Sequence, residues 1–293
     1  MEYTHKSVLL KESIEYLVKD KDGIYVDCTI GGGGHALHIL QRIYKKGFLI
    51  GFDKDRDAIE ASLERLRIFS PSFLLIKADF KDIDVWFSRL GLPKVDGVIA
   101  DLGISSYQVD NRERGFSFKS EVLPDMRMDK ESSLSAWDVL NSFSSQKLAD
   151  IFQKYGEIKR AHQIATLIKK NLKHIKTAEE LSELIKRELP KRGKIHPATL
   201  VFQALRIYVN DELGALESFL SKLPFIVKRG GRIVIISYHS LEDRIVKDFF
   251  RGSPEFSIIT KKPIVPTHDE IKTNRRARSA KMRVAEISGR DGE

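Results

Sequence analysis

Hydrophobic and polar positions follow two alternating patterns along most of the chain. Short runs of β-branched and aromatic residues are each followed by a stretch with the apolar spacing of an amphipathic helix, which is typical of repeated strand–helix–strand units. The early apolar runs predict strands at 24–29, 47–52, 73–78 and 95–100. Helices are predicted at about 35–44 and 57–69. The pattern therefore predicts an α/β fold with a mostly parallel sheet.

A long interval then separates the fourth predicted strand from the next, which is residues 231–237. A single crossover does not need that length, and a structureless loop of this size is uncommon in a compact domain. Helices are predicted within the interval at 135–141, 145–155, 160–172 and 178–189. Thr177 and Glu180 have the spacing of a capping box before the last of them. We predict a loop and helical insertion domain over 108–198.

The remaining residues, 1–107 plus 199–293, are assigned to one domain. Residues 199–223 are predicted to form one helix that returns the chain to the sheet. A helix is predicted near 241–251, and late strands at 255–260 and 283–288. Two late strands joined by a loop indicate an antiparallel hairpin at one edge of the sheet. The expected fold is a mostly parallel sheet with an antiparallel last strand.

Acidic residues stand where three of the predicted strands end. Asp53, Asp79 and Asp101 directly follow the second, third and fourth strands. In an open parallel sheet, ligands bind beyond the carboxyl ends of the strands. One such aspartate is more often a helix cap or a turn former. Three of them beside a glycine-rich turn favour a ligand site.

The glycine-rich turn, residues 31–34, follows the first strand and begins a helix. A Walker phosphate loop is excluded because His35 and Ala36 follow, instead of Lys and Ser or Thr. A dinucleotide site fits Gly-x-Gly-x-x-Ala and Asp53, but Asp27 in the preceding strand would repel a pyrophosphate. The ammonium and sulfonium groups of S-adenosylmethionine would be attracted by that carboxylate. The methyl donor is favoured, and the dinucleotide remains the alternative.

Charge and composition narrow the class of protein further. Fifty Lys and Arg residues against 41 Asp and Glu give a net charge of +9 over 293 residues, which favours polyanionic partners without identifying one. Cys28 is the single cysteine, so an intramolecular disulfide and a cysteine-rich metal site are excluded, and no metal is expected. Residues 1–20 have no signal-type apolar run, and no run reaches the roughly 18 apolar residues of a membrane span. We expect a soluble cytoplasmic protein without a membrane partner.

Several sequence blocks together are similar to one protein family. They include DCTIGGGGH (27–35), DLGISSYQVD (101–110), RGFSF (114–118) and SYHSLEDRIVK (237–247). With these blocks the chain resembles the ribosomal RNA small-subunit methyltransferase H family, also called MraW, from residue 5 to residue 283. The resemblance implies a Rossmann-like class I methyltransferase sheet with a helical insertion domain. It also implies a bacterial cytoplasmic enzyme that transfers a methyl group from S-adenosyl-L-methionine to N4 of a cytidine in the decoding region of 16S rRNA.

The resemblance also implies which residues contact the cofactor. They are Gly33, Gly34, His35, Asp53, Phe80, Asp101 and Gln108. Asp53 can accept both ribose hydroxyls, and Phe80 is expected either against the adenine or in the core. His35 is expected to contribute its backbone N–H, and no catalytic role is assigned to its imidazole.

Asp101 is the candidate catalytic residue. The cytosine amino nitrogen is a poor nucleophile because its lone pair is delocalised into the ring. An acceptor for the amino hydrogen would localise that lone pair. Asp101 is expected to border both the cofactor and the amine; the alternative is that it only holds the methionine moiety. Tyr238 and His239 follow the fifth strand, where they could contact the cytosine, although a structural hydrogen bond is favoured for His239.

The expected macromolecular partner is 16S rRNA within the small ribosomal subunit. Residues 272–283 contain six Lys and Arg and no acid, which favours phosphate contacts. The basic residues of the insertion make a weaker case because four glutamates are interspersed among them; they are Lys169, Lys170, Lys173, Lys186, Arg187, Lys191, Arg192 and Lys194. The alternatives are a methyltransferase for DNA or another RNA, and an RNA-binding assembly factor. The chain could be a monomer or a homodimer.

Overall fold

The computed structural model describes residues 7–188 and 196–288. The chain divides into a first unit, Met1–Gly103 with Leu213–Glu293, and a second unit, Ile104–Glu212. The sequence prediction placed the boundaries after residues 107 and 198. Residues 104–107 and 199–212, which the sequence prediction assigned to the domain of the sheet, therefore belong to the second unit.

The first unit is built on a seven-stranded sheet. Its strands are β1 (Ile24–Asp27), β2 (Phe48–Asp53), β3 (Phe73–Lys77), β4 (Val95–Asp101), β5 (Val227–Ser237), β6 (Phe256–Ile258) and β7 (Lys281–Ile287). Their order is β3-β2-β1-β4-β5-β7-β6. Strands β1 to β5 pair in parallel, whereas β7 runs antiparallel to both of its neighbours. The predicted α/β fold class, with its antiparallel last strand, is confirmed.

Both units contain helices. Those before the insertion and after it are α1 (Leu10–Leu17), α2 (Gly34–Arg42), α3 (Arg56–Leu66), α4 (Ile83–Leu90), α11 (Glu212–Ile226), α12 (Ser240–Gly252) and α13 (His268–Thr273). The second unit contains α5 (Ser106–Asp110), α6 (Ala136–Ser142), α7 (Ser145–Gly156), α8 (Ala161–Asn171), α9 (Ala178–Glu188) and α10 (Thr199–Asn210). The single helix predicted over 199–223 is wrong, because Asp211 adopts the left-handed conformation (φ 49°) and ends α10.

Successive residues of the central strands pack on opposite faces of the sheet. Val26 and Ile50 lie in a core cluster with residues of α4, α11 and α12. Their neighbours Tyr25 and Leu49 lie in a separate cluster with residues of α1 and α2. Because helices cover both faces, the strands are almost continuously apolar, as in buried parallel sheets. Since both faces of the central strands are buried, polar side chains can reach a ligand only where the strands end.

The second unit has a hydrophobic core of its own, which includes the fully buried Phe152, Leu181 and Leu205. Several of its helices begin at residues whose side chains cap the first turn. The Thr177 hydroxyl accepts a hydrogen bond from the Glu180 N–H at 3.0 Å, as the capping-box spacing predicted. Across the described ranges, none of the helices combines the length and apolar character needed to cross a membrane.

Candidate active site

Four aspartates lie at the carboxyl ends of the parallel strands. Asp27, Asp53 and Asp101 are the last residues of β1, β2 and β4. Asp79 follows β3 by two residues. Because β1 lies between β2 and β4, the first three end at adjacent positions along one edge of the sheet. We call this edge the rim; it is where ligands bind in open α/β sheets.

Asp27 is the most buried of these acids, with only 1% of its surface exposed. Its Oδ1 accepts a hydrogen bond from the Thr29 N–H at 3.1 Å. Its Oδ2 is buried and has no hydrogen-bond partner among the described residues. Burial is the main reason that the pKa of Asp27 is raised from 3.8 to about 7. A buried carboxylate oxygen without a hydrogen-bond partner is uncommon in folded proteins, and its position at the rim fits a cationic ligand.

Asp53 connects the end of β2 to the glycine turn. Its Oδ2 accepts a hydrogen bond from the Gly31 N–H, and its Oδ1 accepts one from the Asp55 N–H, both at 2.9 Å. Burial raises the pKa of Asp53 to about 6. Each carboxylate oxygen has a second lone pair that these two bonds do not use. The side chain can therefore accept a pair of ligand hydroxyls while it holds the turn.

The glycine turn itself is tightly constrained. The carbonyl of Gly31 accepts a hydrogen bond from the Ser62 hydroxyl of α3 at 2.8 Å. Gly33 has φ +71°, a conformation that favours glycine. A Cβ at Gly34 would lie 1.9 Å from the Ser7 Oγ, so any larger residue here would force the Ser7 hydroxyl to move. The turn brings bare backbone to the N-terminus of α2, where a ligand can approach closely.

His35 lies in the first turn of α2 and is 5% exposed. Its Nε2 is 3.1 Å from the Val8 carbonyl oxygen, which selects Nε2 as the protonated nitrogen. Its Nδ1 is 3.8 Å from the Asp101 Oδ2. The imidazole thus lies beside the candidate catalytic carboxylate, a proximity that the sequence did not predict.

Asp101 lies on the rim next to Asp27, at the end of β4. The Tyr238 hydroxyl donates a hydrogen bond to its Oδ1 at 2.7 Å, and its side chain remains 14% exposed. Burial raises the pKa of Asp101 to about 7; the charges of Asp27 and Glu242 add to the increase, and the bond from Tyr238 opposes it. A carboxyl group that titrates near neutral pH is suited to accept a proton.

Tyr238 and His239, which follow β5, both contact Glu242. The Tyr238 N–H donates a hydrogen bond to the Glu242 Oε2 at 2.7 Å. The Nδ1 of His239 accepts a hydrogen bond from the Glu242 N–H at 3.4 Å and caps α12. Its Nε2 is 3.1 Å from the Glu242 Oε1. These contacts give His239 the structural role favoured from the sequence, whereas the bond from Tyr238 to Asp101 was not predicted.

Two other candidate residues have structural contacts. The Phe80 ring packs edge-on against Phe219, with 5.2 Å between ring centroids, and remains partly exposed. It has the core contact that was one of its two expected roles. Gln108 belongs to the second unit, where its Oε1 accepts a hydrogen bond from the Ser105 N–H at 3.0 Å in a capping box. The remaining candidates, Gly33, Gly34, His35, Asp53 and Asp101, lie at the rim or in the turn beside it.

The sheet order and the acidic rim beside a glycine turn define a Rossmann-like class I methyltransferase. Residues 2–288 match the MraW methylase family. The chain belongs to that family.

Relatives and solved structures resemble the chain over nearly its full length. The ribosomal RNA small subunit methyltransferase H of Fusobacterium nucleatum is 44% identical over 302 residues, covering 96% of each chain. That of Clostridioides difficile is 43% identical over 309 residues, covering 98% of this chain and 99% of the relative. A Streptococcus mutans protein solved in complex with SAH has a TM-score of 0.48 at 13% identity, with 97% of this chain and 99% of that chain covered.

Proposed function

We propose that this protein transfers a methyl group from S-adenosyl-L-methionine to the exocyclic N4 of a cytidine in the decoding region of 16S rRNA. The observation that carries the proposal is the buried Asp27 carboxylate, whose Oδ2 has no partner within the described ranges. A ligand with ammonium and sulfonium groups would compensate that charge. The names of the relatives support a small-subunit rRNA substrate. The N4 position rests on the sequence resemblance.

The residues at the rim fit such a cofactor. Asp53 accepts the ribose hydroxyls, and Gly33, Gly34 and His35 offer backbone at the N-terminus of α2. The exposed part of Phe80 faces the adenine, and Gln108 completes the set inferred from the family. When bound, the sulfonium supplies an activated methyl group. The protein has to exclude water and align the acceptor nitrogen.

Asp101 acts as the acceptor for the cytosine amine. We assign the amino hydrogen to its Oδ2, because its Oδ1 already accepts one hydrogen bond from the Tyr238 hydroxyl. As nitrogen gains the methyl group, its proton passes to that oxygen. A pKa of about 7 makes Asp101 a base that is largely ionised just above neutral pH.

Exposed arginines close to the rim provide phosphate contacts for the RNA. Residues Arg275–Ser279 form a short 3-10 helix that is anchored by the buried Ala277 and exposes Arg275, Arg276 and Arg278. The segment leads into β7, whose first residue pairs with Ser237 at the end of β5. The basic run predicted from the sequence therefore reaches the edge where Asp101 lies.

The second unit contributes to substrate recognition. Exposed Lys170, Lys173 and Arg187 are the candidates for phosphate contact. Lys169 already donates hydrogen bonds to the Leu140 and Asn141 carbonyls, and Lys186 pairs with Glu183 at 2.8 Å. Three predicted contacts lie outside the described residues: Lys191, Arg192 and Lys194.

The test is transfer of labelled methyl groups into 30S particles, followed by nucleoside analysis. We expect N4-methylcytidine with the parent protein and almost none with Asp101→Asn. Label on cytosine C5 or on a ribose oxygen would contradict the N4 assignment. Parallel reactions with free 16S RNA and with naked DNA identify the form of the substrate. Tight RNA binding without any methylated nucleotide would indicate an assembly factor instead. The reaction belongs in the cytoplasm, where small subunits are found.

A further inference from the structure

A cavity of about 320 Å³ opens between α12 and the last two strands of the sheet. Four of its lining side chains are basic: Lys247, Arg251, Lys261 and Arg283. This is the size range of small-molecule sites. It lies outside the set of residues that we assign to the cofactor and the target base.

The charge of the cavity is only partly neutralised. The Arg283 Nε donates to the Asp243 Oδ1 at 2.7 Å, and Lys247 is 3.2 Å from Asp248. Arg251 and Lys261 are exposed and make no ion pair with any residue that the structure describes. Two unpaired cations around one opening attract an anion, and their attraction weakens as salt is added.

Apolar surface lines the same cavity. Phe250 is only 3% exposed and packs against Phe256, with 5.4 Å between ring centroids. Ile258 of β6 leaves 38% of its surface exposed at the opening. A free inorganic anion makes no favourable contact with apolar side chains. A nucleotide carries both a phosphate for the cations and a base for the apolar side chains.

A row of cations connects the cavity to the rim. Lys281, the first residue of β7, pairs in register with Ser237 at the end of β5. Lys281 and Arg283 point to the same side of β7, about 7 Å apart, and both bind Asp243. Basic residues thus run from the 3-10 helix at Arg275–Ser279 through Lys281 and Arg283 to the cavity, and Asp243 neutralises part of the charge of these two.

We propose that this cavity binds a nucleotide of the substrate RNA other than the target cytidine. Its phosphate lies on Arg251, Lys261 and Arg283, and its base lies against the exposed part of Ile258. This inference rests on the proposed function, because it assumes an RNA substrate. It adds a second anchoring point, which would fix the direction in which the strand crosses the rim.

The test is the double variant R251A/K261A in the full chain. Both side chains are exposed, so the fold should be retained. The matched control is K45A/K46A, which removes two exposed lysines near the opposite end of the parallel strands. We expect the KM for RNA to rise about ten-fold with kcat unchanged. The slope of log K against log[salt] for RNA binding should become shallower by about one to two, and the control should match the parent.

Two results would overturn this inference. One is that the parent is active and that R251A/K261A has the same KM for RNA and the same salt slope as the parent and the control K45A/K46A. The other comes from titration with inorganic phosphate. If the parent binds phosphate tightly, and R251A/K261A loses that binding but still binds RNA as the parent does, the cavity is a site for a free anion. A parent without methyl transfer would instead refute the proposed function, so the two failures can be distinguished.

Discussion

Replacing Asp27 by asparagine should make the ligand-free protein more stable and at the same time weaken binding of S-adenosylmethionine. Burial raises the pKa of Asp27 from 3.8 to about 7. That difference corresponds to about 4 kcal/mol of penalty for the folded state once the carboxyl is ionised. The side-chain amide of the variant would bring a new unpaired N–H group that costs about 1–3 kcal/mol. The net gain at pH 8 is therefore about 1–3 kcal/mol.

The sign of the pH dependence follows from proton binding. Between about pH 4 and pH 7 the folded protein keeps the Asp27 proton while the unfolded chain loses it, so the free energy of unfolding falls as the pH rises through that window. The asparagine variant has no such loss. The stability difference between the variant and the parent should grow by about 3 kcal/mol from pH 5 to pH 8.

Urea unfolding of the ligand-free proteins at both pH values measures this difference, and calorimetry with S-adenosylmethionine measures the affinity. We expect at least ten-fold weaker binding by the variant, because a desolvated charge pair is lost. Asp22→Asn, at an exposed position, is the control and should change neither quantity. A stability difference that stays constant with pH, or normal affinity in the variant, would refute the assignment of Asp27 as the counter-charge of the ligand.

Three further changes test the rest of the site. Asp101→Asn should lower kcat at least 100-fold at saturating donor and RNA with little change in donor affinity; full turnover would mean that another group accepts the proton. Tyr238→Phe removes a hydrogen bond that lowers the pKa of Asp101, so the rise of kcat with pH, near 7 in the parent, should move to higher pH; an unmoved midpoint would contradict this. Gly34→Ala should destabilise the protein by about 0.5–1.5 kcal/mol because its Cβ displaces the Ser7 hydroxyl from its rotamer, and Ser7→Gly should restore the melting temperature.

Local patterns in the sequence were sufficient to predict most of the sheet. β-branched runs located β1 to β4, and the long interval before the next strand indicated an insertion. The start of β5 at Val227 was missed because residues 227–230 (VKRG) include three consecutive exposed residues. The end of α10 was missed as well, since Asp211 adopts its left-handed conformation without a glycine or proline to mark it.

The acids of the rim could be predicted because strand ends are a property of the local sequence. Their partners could not. Tyr238 contacts Asp101 only because β5 pairs with β4 in a register that places Ile236 opposite Asp101. His35 lies beside the same carboxylate because of the direction in which α2 leaves the glycine turn. Both contacts depend on tertiary structure, and so do the pKa values that suit Asp101 to act as a base.

The insertion affects how the sheet assembles during translation. β4 and β5 are neighbours in the sheet, yet residues 102–226 are translated between them. At about 5–20 residues per second, the edge of β4 waits roughly 6–25 s for its partner strand to be synthesised. Helices within the second unit can form during that delay, because all of their residues are translated before β5. The nascent chain thus carries an open, apolar strand edge during synthesis, and such an edge can pair with another chain.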